Sequence, residues 1–257
     1  MSAYYNENDS FAAAWLRNLI AAGHIAPGDV DERDIRDVQP ADLAGYDQCH
    51  FFAGIGGWSY ALRLAGWPDD RPVWTGSCPC QPFSIAGQVG GVKDERHLWP
   101  EWFRLIRARL PATVFGEQIA SAAGYQWLAG VHLEMESAAY SFGAADLCAA
   151  SVKAKHPRQR LWFVAHAGST GLARPVAHGE SVCSGADTPS AEHGDAGLRA
   201  RICFEPNPGT LVRIDGLPRP VGQVRAYGNA IVPQVAAEFV MAAMESPARS
   251  IPTRRAR

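Results

Sequence analysis

Cys80 stands in the stretch VWTGSCPCQPFSIAG, between a proline and a glutamine and just past the apolar run Val73-Trp74-Thr75. A thiol placed where a strand gives way to a loop is held at the lip of a cleft and can act as a nucleophile. A thiol of ordinary pKa, near ~8.5, is mostly protonated at neutral pH, so it needs an electropositive setting. Arg158 and Arg160, in His156-Pro157-Arg158-Gln159-Arg160-Leu161-Trp162-Phe163, are the candidates to provide one. Glu117, after the apolar run Thr113-Val114-Phe115, offers a carboxyl that can hold or release a proton. Upstream, Phe52-Ala53-Gly54-Ile55-Gly56-Gly57 forms a turn whose missing Cβ atoms let a bulky ligand approach backbone. Taken singly, each has a plainer reading: a buried cysteine, a solvated strand cap, a surface arginine pair, a turn that needs positive φ.

The elements that must position these groups read as α/β. Residues 9–22 carry Phe11, Trp15, Leu16, Leu19 and Ile20 at helical spacing and end at Gly23. Residues 48–53 form a strand that runs into the glycine turn, followed by a helix from Trp58 to Leu64 that Gly66 and Pro68 stop. Val73 to Gly76 reads as a strand, Leu98 to Leu110 as a helix, Thr113 to Phe115 as a strand and Tyr125 to Glu136 as a helix. Leu161 to Val164 is a strand, and a last helix spans about Gln234 to Met244. Strands alternating with helices predict a doubly wound, mostly parallel sheet. Ligands bind such sheets beyond the carboxyl ends of the strands, where the glycine turn, Cys80 and Glu117 all fall.

Composition narrows the classes. The 257 residues suit one sizeable domain, and 47% hydrophobic residues are enough for a packed core. No run approaches the roughly 18 apolar residues of a membrane span, and Glu7 and Asp9 sit in an N-terminus unlike a signal peptide. Six cysteines without such a signal imply reduced thiols in a cytoplasm. Cys78-Pro79-Cys80 lacks zinc-knuckle spacing, so no metal is expected. A net charge of −2 leaves any nucleic-acid surface to local patches, such as Lys153, Lys155 and His156 beside the arginines.

Together, Phe52–Gly57, Pro79-Cys80-Gln81, Glu117-Gln118-Ile119, Arg158-Gln159-Arg160 and Gly228-Asn229-Ala230-Ile231-Val232-Pro233 resemble the DNA cytosine-5 methyltransferase family. The resemblance implies the sheet of an S-adenosylmethionine-dependent, Rossmann-like methyltransferase. It implies a monomer that acts on double-stranded DNA, with S-adenosyl-L-methionine as cofactor. The family's nucleophile is the cysteine of its Pro-Cys-Gln, here Cys80; Cys78 has no counterpart. Glu117 stands where the family's acid stands, and Arg158 and Arg160 would reach the cytosine oxygen and flanking phosphates. Gln81 and Ser84 would line the DNA side. Phe52, Ala53, Gly54, Gly56 and Gly57 match the cofactor loop, Leu98 an apolar cofactor contact, and Asn229 a helix cap or cofactor contact beside that loop. Two departures stand out: His50 replaces a common aspartate, and Gln118 replaces an asparagine.

Twelve residues, 68–79, separate Trp67 from Cys80, too few for the two strand–helix units that relatives place there. The missing parts resemble segments at the front of this chain. Tyr5-Asn6-Glu7-Asn8-Asp9-Ser10-Phe11-Ala12 is similar to the family's ribose-binding segment, with Glu7 as the carboxylate. Asp31-Glu32-Arg33-Asp34-Ile35-Arg36 is similar to its adenine-binding strand end, with Asp34 and Ile35 as contacts. The alternative is a polar tail plus a solvated charge run.

The resemblance covers about 1–165 and 206–257, the expected catalytic domain. Residues 166–205, rich in Gly, Ala, Ser and His, read as a reduced target-recognition insert or a flexible loop. Other readings stay open: an RNA (tRNA) cytosine-5 methyltransferase, a catalytically impaired DNA- or cofactor-binding relative, and transfer of a modified methyl group. A restriction–modification or phage role is compatible with the same residues.

Overall fold

The computed structural model describes residues 2–79, 98–154, 156, 158–168 and 230–245. Seven strands form one sheet: β1 (Ala3–Asn6), β2 (Gly28–Asp31), β3 (Gln48–Phe51), β4 (Val73–Gly76), β5 (Thr113–Ile119), β6 (Tyr140–Cys148) and β7 (Gln159–Ala167). Their order is β2-β1-β3-β4-β5-β7-β6. The first five pair in parallel, and β7 runs antiparallel to both β5 and β6. The helices are α1 (Ser10–Ala21), α2 (Gly57–Leu64), α3 (Trp99–Arg109), α4 (Ala122–Ser137) and α5 (Pro233–Glu245). The fold is therefore α/β with a mostly parallel sheet covered on both faces, as the sequence predicts.

Local chemistry sets the helix ends. Asp9 caps α1 by accepting from the Phe11 and Ala12 amides at 3.0 and 3.1 Å, and Ser121 caps α4 by accepting from Gly124 at 3.1 Å. Leu110, in the left-handed region, and Pro111 close α3.

Register sorts the core into two layers. Tyr5, His50, Thr75, Phe115 and Val164 stand side by side and face α1, α2 and α5. Tyr4, Cys49, Trp74, Val114 and Ala165 face α3 and α4. Two strand glycines make room for large rings on this second face. A Cβ on Gly76 would lie 2.7 Å from the Trp102 indole, and one on Gly116 would lie 2.1 Å from the Phe163 ring.

The N-terminal segment is not a polar tail. β1 is an interior strand, wholly buried, between β2 and β3. Its placement has a consequence for chirality. α1 and α2 share a face, since the Tyr5 hydroxyl meets Ser59 Oγ at 2.9 Å and Gly56 abuts Leu16. β1-α1-β2 steps toward the β2 edge, whereas β3-α2-β4 steps away from it. Crossovers on one face stepping in opposite directions have opposite hands. The β2-to-β3 link, through Ile35, Val38 and Leu43, and β4-α3-β5 both step toward β5 over the other face, matching the hand of β1-α1-β2. Parallel crossovers are right-handed in about 98% of cases, so β3-α2-β4 is the left-handed exception. Its helix is held by α5 and by Trp58 and Trp67 against Phe115.

Candidate active site

The first cluster lies at the carboxyl ends of β1, β2 and β3. Phe52, the residue after β3, has a φ of 51° that turns the chain, and Gly54 (φ 55°) and Gly56 (φ 80°) continue the left-handed turn into α2. Among the described residues nothing stands within 4 Å of a Cβ built on Gly54, so backbone is open there. Glu7, just past β1, accepts from the Gly54 amide at 2.7 Å and, with its other oxygen, from the Asp9 amide at 2.9 Å. Residues 47 apart in sequence thus meet at one turn. Phe52 is half-buried, edge-on to Trp102 at 6.2 Å, and Ala53 is buried, its amide donating to the Asn6 carbonyl at 3.0 Å. Leu98, the residue before α3, packs partly against the same core.

Beyond β2, Asp34 accepts from the Arg36 amide and guanidinium at 2.7–2.9 Å, which holds its carboxyl below the usual range. Ile35 is buried with Val38 and Leu43, so its side chain belongs to the core. Gly57 lies under the C-terminal motif: a Cβ there would stand 2.7 Å from Ile231 Cγ1. The segment leading into α5 therefore does fold back beside the glycine turn. A cavity of about 600 Å³ opens along this junction, lined by Ile25, Gly56, Tyr60, Arg158 and Ile231 among others. A second of about 430 Å³ lies over Tyr4, Asp31, Arg33 and Tyr46. Neither is lined by Glu7 or Glu117, so we place the chemistry by the side chains rather than by these hollows.

The second cluster lies at the ends of β4, β5 and β7. Glu117 is 7% exposed, and Arg160 Nε stands 2.8 Å from its Oε1. Burial raises the Glu117 carboxyl above its ordinary range; Arg160, Arg158 and a hydrogen bond from Ser77 pull the other way without cancelling it. Arg158 comes before β7, with φ of 24°, so the two arginines do not share a regular extended segment. Arg158 Nη2 donates to the Ala230 carbonyl at 2.7 Å, tying the arginine motif to the C-terminal one. Burial and Arg160 lower the Arg158 pKa. Gln118, also buried, donates through Nε2 to the Cys78 carbonyl at 3.3 Å and accepts from the Ile119 amide at 2.9 Å. Its amide thus anchors the chain two residues before Cys80. Cys78 itself is core, 4% exposed.

Cys80, Gln81, Ser84 and Asn229 lie outside the described residues, as does the insert beyond residue 168. His50 does not reach the turn's surface. It is buried in the sheet, stacked on Tyr5 at 4.8 Å, with Nδ1 2.8 Å from Thr75 Oγ1. Burial pushes its pKa down to about 3, so the ring is neutral, and its Nε2 has no hydrogen-bond partner. Sequence reasoning missed Ser77, beside the acid just past β4, and Trp58, which donates to the Ser77 hydroxyl from α2. A hydroxyl two residues before the Pro-Cys-Gln was the available signal. Among the described residues no cluster of His, Cys, Asp and Glu is arranged to hold a metal, and no helix is long and apolar enough to cross a membrane.

Residues 67–182 match the family model of C-5 cytosine-specific DNA methylase. No curated protein matches the sequence. Among solved structures, a Spodoptera frugiperda DNMT2 mutant is 13% identical, with 69% of this chain and 45% of that one covered and a TM-score of 0.43. A putative DNA modification methyltransferase encoded within an E. coli prophage is 14% identical, covering 65% and 47%, with a TM-score of 0.39. The S. pombe Dnmt2 methyltransferase is 14% identical, covering 66% and 52%, with a TM-score of 0.38. The chain spans about half the length of the structures it matches.

Proposed function

With residues 67–182 matching the C-5 cytosine-specific DNA methylase family, we propose that this chain transfers a methyl group from S-adenosyl-L-methionine to carbon 5 of cytosine in double-stranded DNA. The observation that carries the reading is the buried Glu117, its carboxyl raised by burial yet faced by Arg160 and Arg158, one strand away from the start of the Pro-Cys-Gln segment.

Carbon 5 of cytosine is a poor nucleophile until a thiolate adds at carbon 6. Cys80 supplies that thiolate, forming a bond from sulfur to carbon 6. As electrons move toward the ring, Glu117 gives a proton to ring nitrogen 3, which leaves carbon 5 enamine-like. S-adenosylmethionine, when bound, supplies an electrophilic methyl group. Loss of the carbon 5 proton to a base then breaks the sulfur–carbon 6 bond and expels the thiolate, and ring nitrogen 3 returns its proton to Glu117, which restores the ring. Arg158 and Arg160 hold the cytosine oxygen and flanking phosphates, and the base must leave the duplex stack to reach them. Gln81 and Ser84 face the DNA.

The residues at the glycine turn fit the cofactor. Glu7 takes the ribose hydroxyls, Asp34 and the backbone of Ile35 the adenine end, and Phe52, Ala53, Gly54, Gly56, Gly57, Leu98 and Asn229 the remaining wall. The open backbone at Gly54 beside a carboxylate supports this placement. For Glu7, one of the amide bonds it now accepts would be shared with a ribose. Incubation with labelled S-adenosylmethionine and either duplex DNA or tRNA tests the proposal. Label in 5-methylcytosine from DNA is expected; label in tRNA alone, or in neither, overturns it.

A further inference from the structure

Trp58, on the first turn of α2 directly after the glycine turn, is 3% exposed and donates from Nε1 to Ser77 Oγ at 3.1 Å. Ser77 follows the last residue of β4, and because Gly76 pairs with Gly116 it stands beside Glu117, its hydroxyl placed to donate to the Glu117 carboxyl. An indole N–H can only donate, so Ser77 Oγ is the acceptor in the first bond. That leaves the hydroxyl hydrogen for Glu117, and the chain of bonds runs one way, from Trp58 through Ser77 to the carboxyl. Arg160 engages the carboxyl at Oε1 from β7. Trp58 is itself fixed, stacked on Phe115 at 6.1 Å and edge-on to Trp162 at 5.4 Å.

We propose that Ser77 is a positioning residue: locked by Trp58, it fixes the Glu117 carboxyl and ties the acid to the helix that follows the glycine turn. The idea deepens the proposed reaction, resting on Glu117 as its acid, but its physical content does not need turnover. Ser77 offers Glu117 a donor that stabilises the ionised form, working with Arg160 and Arg158 against burial. These are the charged and donor groups facing Glu117 among the described residues. Removing one of them lets burial act with less opposition. Trp58→Phe keeps the ring but deletes the N–H, which frees the Ser77 hydroxyl to turn away part of the time.

The test is a carboxyl-13C NMR titration of the full chain labelled at glutamate, with the Glu117 signal assigned by its loss in Glu117→Gln. In Ser77→Ala the Glu117 midpoint should move up by about one pH unit, the equivalent of one hydrogen bond to a charged group. Ser77→Thr should restore it, and Trp58→Phe should move it up by less than Ser77→Ala does. An unmoved midpoint in Ser77→Ala, or an equal shift in Ser77→Thr, overturns the proposal. If the midpoint moves as expected while the wild type methylates neither DNA nor tRNA, the positioning role stands and the proposed reaction falls. In an active enzyme, Ser77→Ala should lower kcat with the dissociation constant for S-adenosylmethionine unchanged; a loss confined to cofactor affinity also overturns the role.

Discussion

Asp34 stands beyond the end of β2 and Glu117 among the last paired residues of β5, yet their surroundings push them in opposite directions. Asp34 sits at the sheet's outer end, where the neighbouring Arg36 amide and guanidinium hold it ionised. Glu117 sits near the sheet's middle, 7% exposed, where burial raises its carboxyl against the pull of two arginines. The difference follows from what surrounds each strand end. β2 is an edge strand with water on one side, whereas β5 lies between β4 and β7 under Trp58 and Trp162. One sheet thus carries a lowered carboxyl at one strand end and a raised one at another.

The sharpest break of this contrast is at the raised carboxyl. Glu117→Gln should lower turnover by about two to four orders of magnitude while calorimetric affinity for S-adenosylmethionine is unchanged, since it removes a proton donor used only in the chemical step. Cys80→Ala should abolish transfer altogether, and Cys78→Ser, a change at a core thiol, should retain it. Near-normal turnover in Glu117→Gln would move the acid elsewhere, and an adduct at Cys78 on 5-fluorocytosine DNA would move the nucleophile.

On the acceptor side, the informative residue is Glu7. Truncating residues 1–36 cannot test it, because β1 is an interior strand and its removal takes the sheet with it. Glu7→Gln keeps the shape and removes the charge. Affinity for S-adenosylmethionine should fall roughly ten- to hundred-fold, the equivalent of one charged hydrogen bond. A change within about twofold would leave Glu7 as a brace for the Gly54 amide and nothing more.

Much of this arrangement was legible because it is local. The Asp9 cap, the stop at Gly23, and the Leu98–Leu110 stripe before Pro111 all act within a few residues, so pattern reading found their helices. β6 was missed: Ser141, Gly143, Ala144, Ala145 and Asp146 lack the β-branched alternation of a strand, and β6 forms by pairing along all of β7. That Glu7 and the glycine turn serve one cofactor follows from resemblance, while their direct contact has no local signal, since none spans 47 residues. The roles of Trp58 and Ser77 were invisible for the same reason. His50 showed the opposite failure. Its sequence position pointed to the cofactor loop, but its side chain faces Tyr5 and Thr75 inside the sheet, because β3's alternation turns it inward.

Packing on the α3 face should be nearly as sensitive as the site. Gly116→Ala would drive a methyl into the Phe163 ring and should destabilise by about 1–3 kcal/mol in chemical denaturation. A neutral result would show that the ring can swing clear.

The Glu117 proton also predicts a pH slope. A carboxyl raised on folding favours the native state below its unfolded pKa, and that contribution is lost as pH rises through the folded value. Wild-type melting temperature should therefore fall between the ordinary glutamate pKa, near ~4.3, and the raised one, relative to Glu117→Gln over the same window. Parallel curves for the two proteins would mean that folding leaves the Glu117 pKa unchanged.

Asp34 carries the smallest effect on the fold and the finest distinction on function. Its pair with Arg36 is largely solvated, the arginine side chain being 52% exposed, so Asp34→Ala should change stability by no more than about 1 kcal/mol. Its depressed pKa adds stability above the ordinary aspartate range that is lost as pH falls through the folded value, so the wild type should lose slightly more than Asp34→Ala on acidification. If the carboxylate also accepts from the adenine end of the cofactor, the same substitution should weaken S-adenosylmethionine binding about tenfold, far beyond its structural cost. Arg36→Ala separates the two roles, since it releases the carboxylate from its guanidinium partner while leaving it in place for a ligand. Retained cofactor affinity in Arg36→Ala with a loss in Asp34→Ala assigns Asp34 to the cofactor. Equal, small losses in both would reduce Asp34 to the brace of a turn, and the acceptor half of the contrast would rest on Glu7 alone.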